Sequence, residues 1–269
     1  VISVLTCTAR GQYLAQTIAS IDRAGGAEYA GPKIVHVDGP ADGIGPFPGW
    51  QVQALSFARS GARRSMLDIM GRAAAAAVEL LLYFEDDVVL CKGAIPAMLE
   101  IGVPEPLGFV SYCDLLWHPI PPLELGVFPG CPRNAPVADG GFVGCQALAL
   151  PARTIASLIM RTPPAWLDRN NCDSTIGTSS EYYGVIDSLA DHVGMESAIM
   201  GRSYGRLRTV RGWRGEDFDA ATLPRTFRIP SPEEIGERCH FHAGVLHETR
   251  RACAAAMPNH VVWAPGAGD

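Results

Sequence analysis

The stretch Leu80-Leu81-Leu82-Tyr83-Phe84-Glu85-Asp86-Asp87-Val88-Val89-Leu90 restricts the folds open to this chain more than any other. An apolar run ending in two aromatics reads as a strand buried on both faces. Three consecutive acids follow, and the apolar pattern then resumes at Val88. Carboxylates at the end of a buried strand are costly unless something positive neutralises them. A hard divalent cation, Mg²⁺ or Mn²⁺, does this with one or two carboxylates while phosphate oxygens fill its other positions. The competing reading is an acidic, solvated turn, which such tight bracketing by Leu, Phe and Val disfavours.

The flanking segments set this strand in an α/β frame. Residues 1–6 read as a first strand, 12–24 carry helical apolar spacing, and Gly25-Gly26 stops that helix. Residues 33–39 form a second strand ending in Asp38, and the Gly- and Pro-rich 40–50 a loop. Residues 51–57 suggest a short strand, and 65–78 a helix whose alanines permit close packing on a sheet. Further on, 93–101 reads as a helix, 109–113 as a strand, and 117–136 as a proline-rich excursion. A glycine-rich loop leads into an apolar strand over 139–150, and helices are expected from Pro151 to Arg161 and over 181–189.

The expected fold is therefore α/β: a Rossmann-like open, mostly parallel sheet with helices on both faces, plus an irregular C-terminal region. Residues 1–200 form the binding domain and 201–269 an irregular segment packed on it. Ligands of such sheets sit at the carboxyl ends of the strands. That edge would gather Thr6, Thr8, Arg10, Asp38 and the acidic triplet.

Composition narrows the function classes. The net charge is −6, so no global basic field attracts nucleic acid, although Arg63-Arg64 and the arginines from Arg202 to Arg214 are local phosphate candidates. Eight scattered cysteines without a CxxC pair suggest buried thiols in a reducing compartment rather than a disulfide framework. The chain opens on a strand-like run without a basic leader, and its longest apolar segment, 73–84, contains Glu79 and is too short to span a bilayer. A soluble, cytoplasmic protein without a transmembrane segment is expected.

In their order along the chain, several motifs resemble glycosyltransferases of the A-type fold. They are Val4-Leu5-Thr6 with Arg10, Val37-Asp38, Arg64 entering an Ala-rich helix, Glu85-Asp86-Asp87 as a DxD-type motif, and the 140–150 loop-strand. Asp191-His192-Val193-Gly194-Met195-Glu196-Ser197 is similar to the His-Val-Gly-x-x-Ser element of branching N-acetylglucosaminyltransferases. Glu-Asp-Asp-Val is shared with lipopolysaccharide glycosyltransferases. The resemblance implies a metal-dependent enzyme moving a sugar from a nucleotide-sugar donor, a UDP-sugar, to an acceptor hydroxyl with inversion. It implies that Thr6, Arg10, Asp38, Arg64 and Asp86 border the nucleotide, and that Asp87 and His192 hold Mn²⁺ or Mg²⁺. His192 also has a plainer reading, as a core histidine bonded to backbone.

An inverting transfer needs a base at the acceptor hydroxyl. Asp173 stands where such enzymes place it, with Asp139 and Glu181 as substitutes; Asp173 reads equally as a helix N-cap. Gly140-Gly141 either lets backbone approach the sugar or forms a hairpin turn. The arginines from Arg202 to Arg214 either grip a diphosphate or form a solvated loop. Cys239-His240-Phe241-His242 with His247 lacks the second thiol that a structural zinc site would want. Two other functions compete: nucleotidyl transfer, which the lack of a glycine-rich, lysine-bearing loop after the first strand disfavours, and a catalytically degenerate nucleotide-sugar binder. The acceptor stays open among a glycan, a natural product and a modified nucleobase.

Overall fold

The structure is a computed structural model and describes residues 1–7, 11–105, 107–113, 127–128, 145–161, 176, 183–185, 188–194, 196–197, 202–203 and 213–222. The chain opens with strand β1 (Ile2–Cys7), helix α1 (Gly11–Ile21), β2 (Lys33–Asp38), β3 (Gln51–Ala54) and α2 (Ala62–Ala75). The acidic stretch follows as β4 (Leu80–Glu85), a turn at Asp86-Asp87, and β5 (Val88–Leu90). Then come α3 (Ala94–Ile101), β6 (Phe109–Ser111), β7 (Val127–Phe128), β8 (Ala147–Pro151) and α4 (Ala152–Arg161). The last strands are β9 (Tyr183–Val185), β10 (Ala190–His192), β11 (Glu196–Ser197) and β12 (Arg202–Ser203).

Among the described residues, eight strands form one sheet in the order β3-β2-β1-β4-β8-β6-β9-β7. Strands β3, β2, β1 and β4 pair in parallel. β8 runs against both β4 and β6, β9 is parallel to β6, and β7 opposes β9. All but β8 and β7 therefore point the same way, the mostly parallel α/β sheet expected. Short strand β5 leaves this sheet and pairs with β10, while β11 pairs with β12.

The alternating pleat explains why β4 is apolar throughout. Leu82 and Phe84 face one core layer with Ile2, Val4, Val35 and Ala149, where α1 (Leu14, Ile18, Ile21) and α3 (Ile95, Met98) pack. Leu81 and Tyr83 face the opposite layer with Leu5, Leu148 and Leu150, covered by α2 (Met66, Ile69, Met70) and α4 (Ile155, Leu158). A strand sandwiched between two helical layers has no polar side to show. Residues 81–84 are fully buried, and each such side chain contributes about 1.5–3 kcal/mol of transfer free energy.

Helix α1 ends where Gly25-Gly26 predicts, through a π-type turn at Asp22–Gly26. Gly25 is required there: its φ is 104°, and a Cβ would lie 2.6 Å from Cδ of Pro96 in α3. One expectation is corrected. The helix predicted over 181–189 is not present; Tyr183–Val185 is a strand beside β6 and Ala190–His192 a strand beside β5. The local sequence, Tyr182-Tyr183-Gly184-Val185, is rich in residues that suit a pleated surface, and Gly184 weakens a helix.

Residues 213–222 pack on the α1/α3 layer, with Ala220 buried and Trp213 and Phe218 against it. Lys92 N–H donates to the Glu216 carbonyl, and Arg23 pairs with Glu216 at 2.6 Å. Among the described residues, Cys7, Cys91, Cys113 and Cys145 are buried thiols outside any disulfide. No helix among them is long and apolar enough to cross a membrane.

Candidate metal centre

Glu85 ends β4 at the carboxyl edge of the sheet, where the neighbouring strands also end, at Cys7 and Asp38. The backbone then turns through Asp86 and Asp87, and the two carboxylates take opposite tasks. Asp86 turns toward β1 and accepts a hydrogen bond from the Thr6 hydroxyl at 2.5 Å. Asp87 turns toward β10, where its Oδ2 lies 3.0 Å from Nε2 of His192. Both aspartates are 2% exposed.

His192 reaches Asp87 because β10 pairs antiparallel with β5, setting Asp191 opposite Val89 and His192 opposite Val88. The Val193 N–H then donates to the Asp87 carbonyl at 2.8 Å, which ties the turn itself to the incoming strand. Glu85 is fixed from the other side, its N–H donating to the Gln146 carbonyl at 2.9 Å. One donor atom each from Glu85, Asp87 and His192 lie within 4.8 Å of one another. Two carboxylates and an imidazole at that spacing could hold a divalent cation, and the set offers mainly the oxygen ligands such ions favour. Beside them, burial pushes the Asp191 carboxyl up, opposed by its bond from the His192 N–H and by the His192 charge.

The second edge of β5 is closed by α1 rather than by a strand. The Thr17 hydroxyl accepts from the Val88 N–H at 3.1 Å and lies 2.8 Å from the Asp86 carbonyl and 2.9 Å from the Val88 carbonyl. Ser20 accepts from the Leu90 N–H at 2.8 Å. β5 is thus laced on one side by β10 and on the other by two hydroxyls one helical turn apart.

The structure brings together Thr6, Asp86, Asp87 and His192 from the sequence-predicted set. Asp38 is buried at the same edge, but its carboxylate accepts from the Ser60 N–H (2.6 Å) and hydroxyl (2.9 Å) and from the Gly61 N–H (2.9 Å). It ties the end of β2 to the entry of α2. Arg64 is exposed on the first turn of α2, while its neighbour Arg63 is buried. Arg10 and Asp173 lie outside the described residues, as do Thr8, residues 139–144, Glu181 and the Cys239–His242 cluster.

Sequence reading missed Glu85 and Thr17 at the site, and Ser20 beyond it, which holds only the far end of β5. Glu85 was within the acidic triplet but not assigned to the cation. Thr17 and Ser20 went unnoticed, although Thr17 interrupts the apolar stripe Leu14-Ile18-Ile21, a signal that a buried helical face carries a hydroxyl with a task.

Fold and cluster together define an α/β protein with a candidate cation site at the carboxyl edge of its sheet. No protein-family model matches the chain, and no curated protein matches it. Among solved structures, the chain is similar to S. aureus TarS 1-349, at 11% identity and a TM-score of 0.44; the match covers 71% of this chain and 60% of that one. Neither figure carries a residue role across.

Proposed function

We propose that this protein is a divalent-cation-dependent glycosyltransferase, moving a sugar from a nucleotide-sugar donor, UDP-linked, to an acceptor hydroxyl. The observation that carries the reading is the convergence of Glu85, Asp87 and His192 within 4.8 Å at the carboxyl edge of a mostly parallel sheet. Nucleotides seat at that edge in open α/β sheets. Three protein donors leave room on a cation for diphosphate oxygens. The imidazole favours Mn²⁺ over Mg²⁺, which prefers oxygen throughout.

A bound cation neutralises the charge that builds on a departing diphosphate. The chain's own residues do the rest. Asp87 and His192, from distant parts of the sequence, hold the cation side of the site, and Glu85 completes it. Asp86, held by Thr6, fixes the turn and leaves Asp87 to face the ion. Asp173 is assigned the part of the base that takes the acceptor hydroxyl proton as the anomeric carbon inverts. The likeness of residues 191–197 to the branching N-acetylglucosaminyltransferases supports inversion. The acceptor class is a glycan, a natural product or a modified nucleobase.

The test is turnover of a panel of nucleotide sugars, read by mass spectrometry with Mn²⁺ or with excess chelator. Release of UDP from one UDP-sugar, dependent on Mn²⁺, is the expected result. Equal activity in chelator would remove the cation from the mechanism, and inertness toward the whole panel would remove the activity.

A further inference from the structure

We infer that Thr17 is a positioning residue for the cation site, acting through the Asp86-Asp87-Val88 backbone without touching the ion. The inference rests on the proposed cation-dependent reading. Thr17 is fully buried in the middle of α1. Its single oxygen serves three backbone groups that flank Asp87: the Asp86 carbonyl at 2.8 Å, the Val88 carbonyl at 2.9 Å and the Val88 N–H at 3.1 Å. The hydroxyl proton serves one carbonyl at a time, while a lone pair accepts the N–H. A single side chain therefore brackets the ligand residue from both neighbouring peptides. On the opposite edge the Val193 N–H holds the Asp87 carbonyl at 2.8 Å. With both edges held, the Asp87 carboxylate is aimed at His192 before any ion arrives.

Ser20 supplies the internal control. It performs the same backbone task one rung further on, at Leu90 (2.8 Å to the N–H), beyond the acidic turn. Losing either hydroxyl strands buried backbone groups and lowers stability. Only the loss at Thr17 loosens the turn that carries Asp87. A purely structural clamp would make the two positions equivalent.

The experiment measures Mn²⁺ affinity by titration calorimetry and the urea midpoint for the wild type, Thr17→Val, Thr17→Ser and Ser20→Ala. Thr17→Val is expected to weaken Mn²⁺ binding roughly 10–100-fold, the range seen when an outer-shell partner of a metal ligand is lost. Thr17→Ser should restore it, and Ser20→Ala should lower the midpoint while leaving Mn²⁺ affinity as in the wild type. If the valine variant does not fold, Thr17→Ala, which puts no extra methyl against the turn, carries the same comparison. Wild-type affinity in the hydroxyl-free Thr17 variant, or an equal loss in Ser20→Ala, overturns the inference while leaving the cation site standing. A wild type that takes up no Mn²⁺ overturns both.

Discussion

The Asp87 carbonyl accepts from the Val193 N–H, and its carboxylate faces His192. Asp87→Ala keeps the first and removes the second. The expected loss of Mn²⁺-dependent turnover exceeds the roughly 10–100-fold typical of outer-shell changes, with the circular dichroism spectrum unchanged; turnover at the wild-type rate would take Asp87 out of the site. Asp38 is the opposite case. With three short hydrogen bonds to Ser60 and Gly61, its carboxylate is already committed. Asp38→Ala is expected to lower the unfolding free energy by about 1–3 kcal/mol, the cost of stranding buried donors, read from urea midpoints. An unchanged midpoint together with lost UDP affinity would return Asp38 to the nucleotide. For Asp173, substitution by Asn should slow the chemical step roughly 10²–10⁴-fold while donor affinity holds. Retention of anomeric configuration in the product, read by NMR, would remove the single direct displacement and with it this role for Asp173.

Between residues and the whole lies the packing of α1 on its neighbours, and Gly25 is its tightest point. Gly25→Ala adds a methyl 2.6 Å from Pro96 Cδ at a backbone φ of 104°. The left-handed backbone alone costs about 1–2 kcal/mol, and overpacking typically adds about 1–3 kcal/mol. A lowered melting temperature is expected by thermal denaturation, and an unchanged one would show that α3 yields freely. Much of this level is legible from sequence. The apolar runs at 80–84 and 147–150 announce strands with two covered faces, and the glycine pair marks the end of α1. The acids of the site are equally visible, because charge after a buried strand has few explanations. What is not visible is pairing. Nothing local at 190–192 says that it lies beside 88–90; the likeness of 191–197 to a known element puts His192 forward as a ligand, and the register is what brings it to Asp87. The missed strand at 183–185 is a partial case: its local sequence suits a strand, and pairing with β6 decides it. Thr17 was hidden because a hydroxyl within an apolar stripe reads as a tolerated substitution until its backbone partners are known.

For the molecule as a whole, acid sensitivity has an identifiable contributor two strands from Glu85, in register with it through Leu5. His36, in β2, is 2% exposed, with Nε2 3.2 Å from the Ser3 hydroxyl. Burial, reinforced by the charge of Arg72, lowers its imidazole from 6.5 to about 4. Between those values the unfolded chain binds the proton and the folded chain does not, so stability falls as pH drops from about 6.5 toward 4 and levels off below. The contribution across the window is about 3 kcal/mol. His36→Gln should flatten the pH dependence of urea midpoints between pH 4.5 and 7.5 relative to wild type; parallel curves would clear His36. The pairing of Asp87 with His192 has a consequence on this same scale, because the two lie 105 positions apart. An ion seated between them fastens the first part of the chain to a strand that arrives only after most of it has been laid down. In the unfolded chain that fastening would require closing a long loop, so occupancy favours the folded form, by about 2.7 kcal/mol at a hundredfold excess over Kd. On the proposed reading the catalytic ion is also a clasp. Starvation for it would erode the amount of folded protein as well as the rate at which each molecule works.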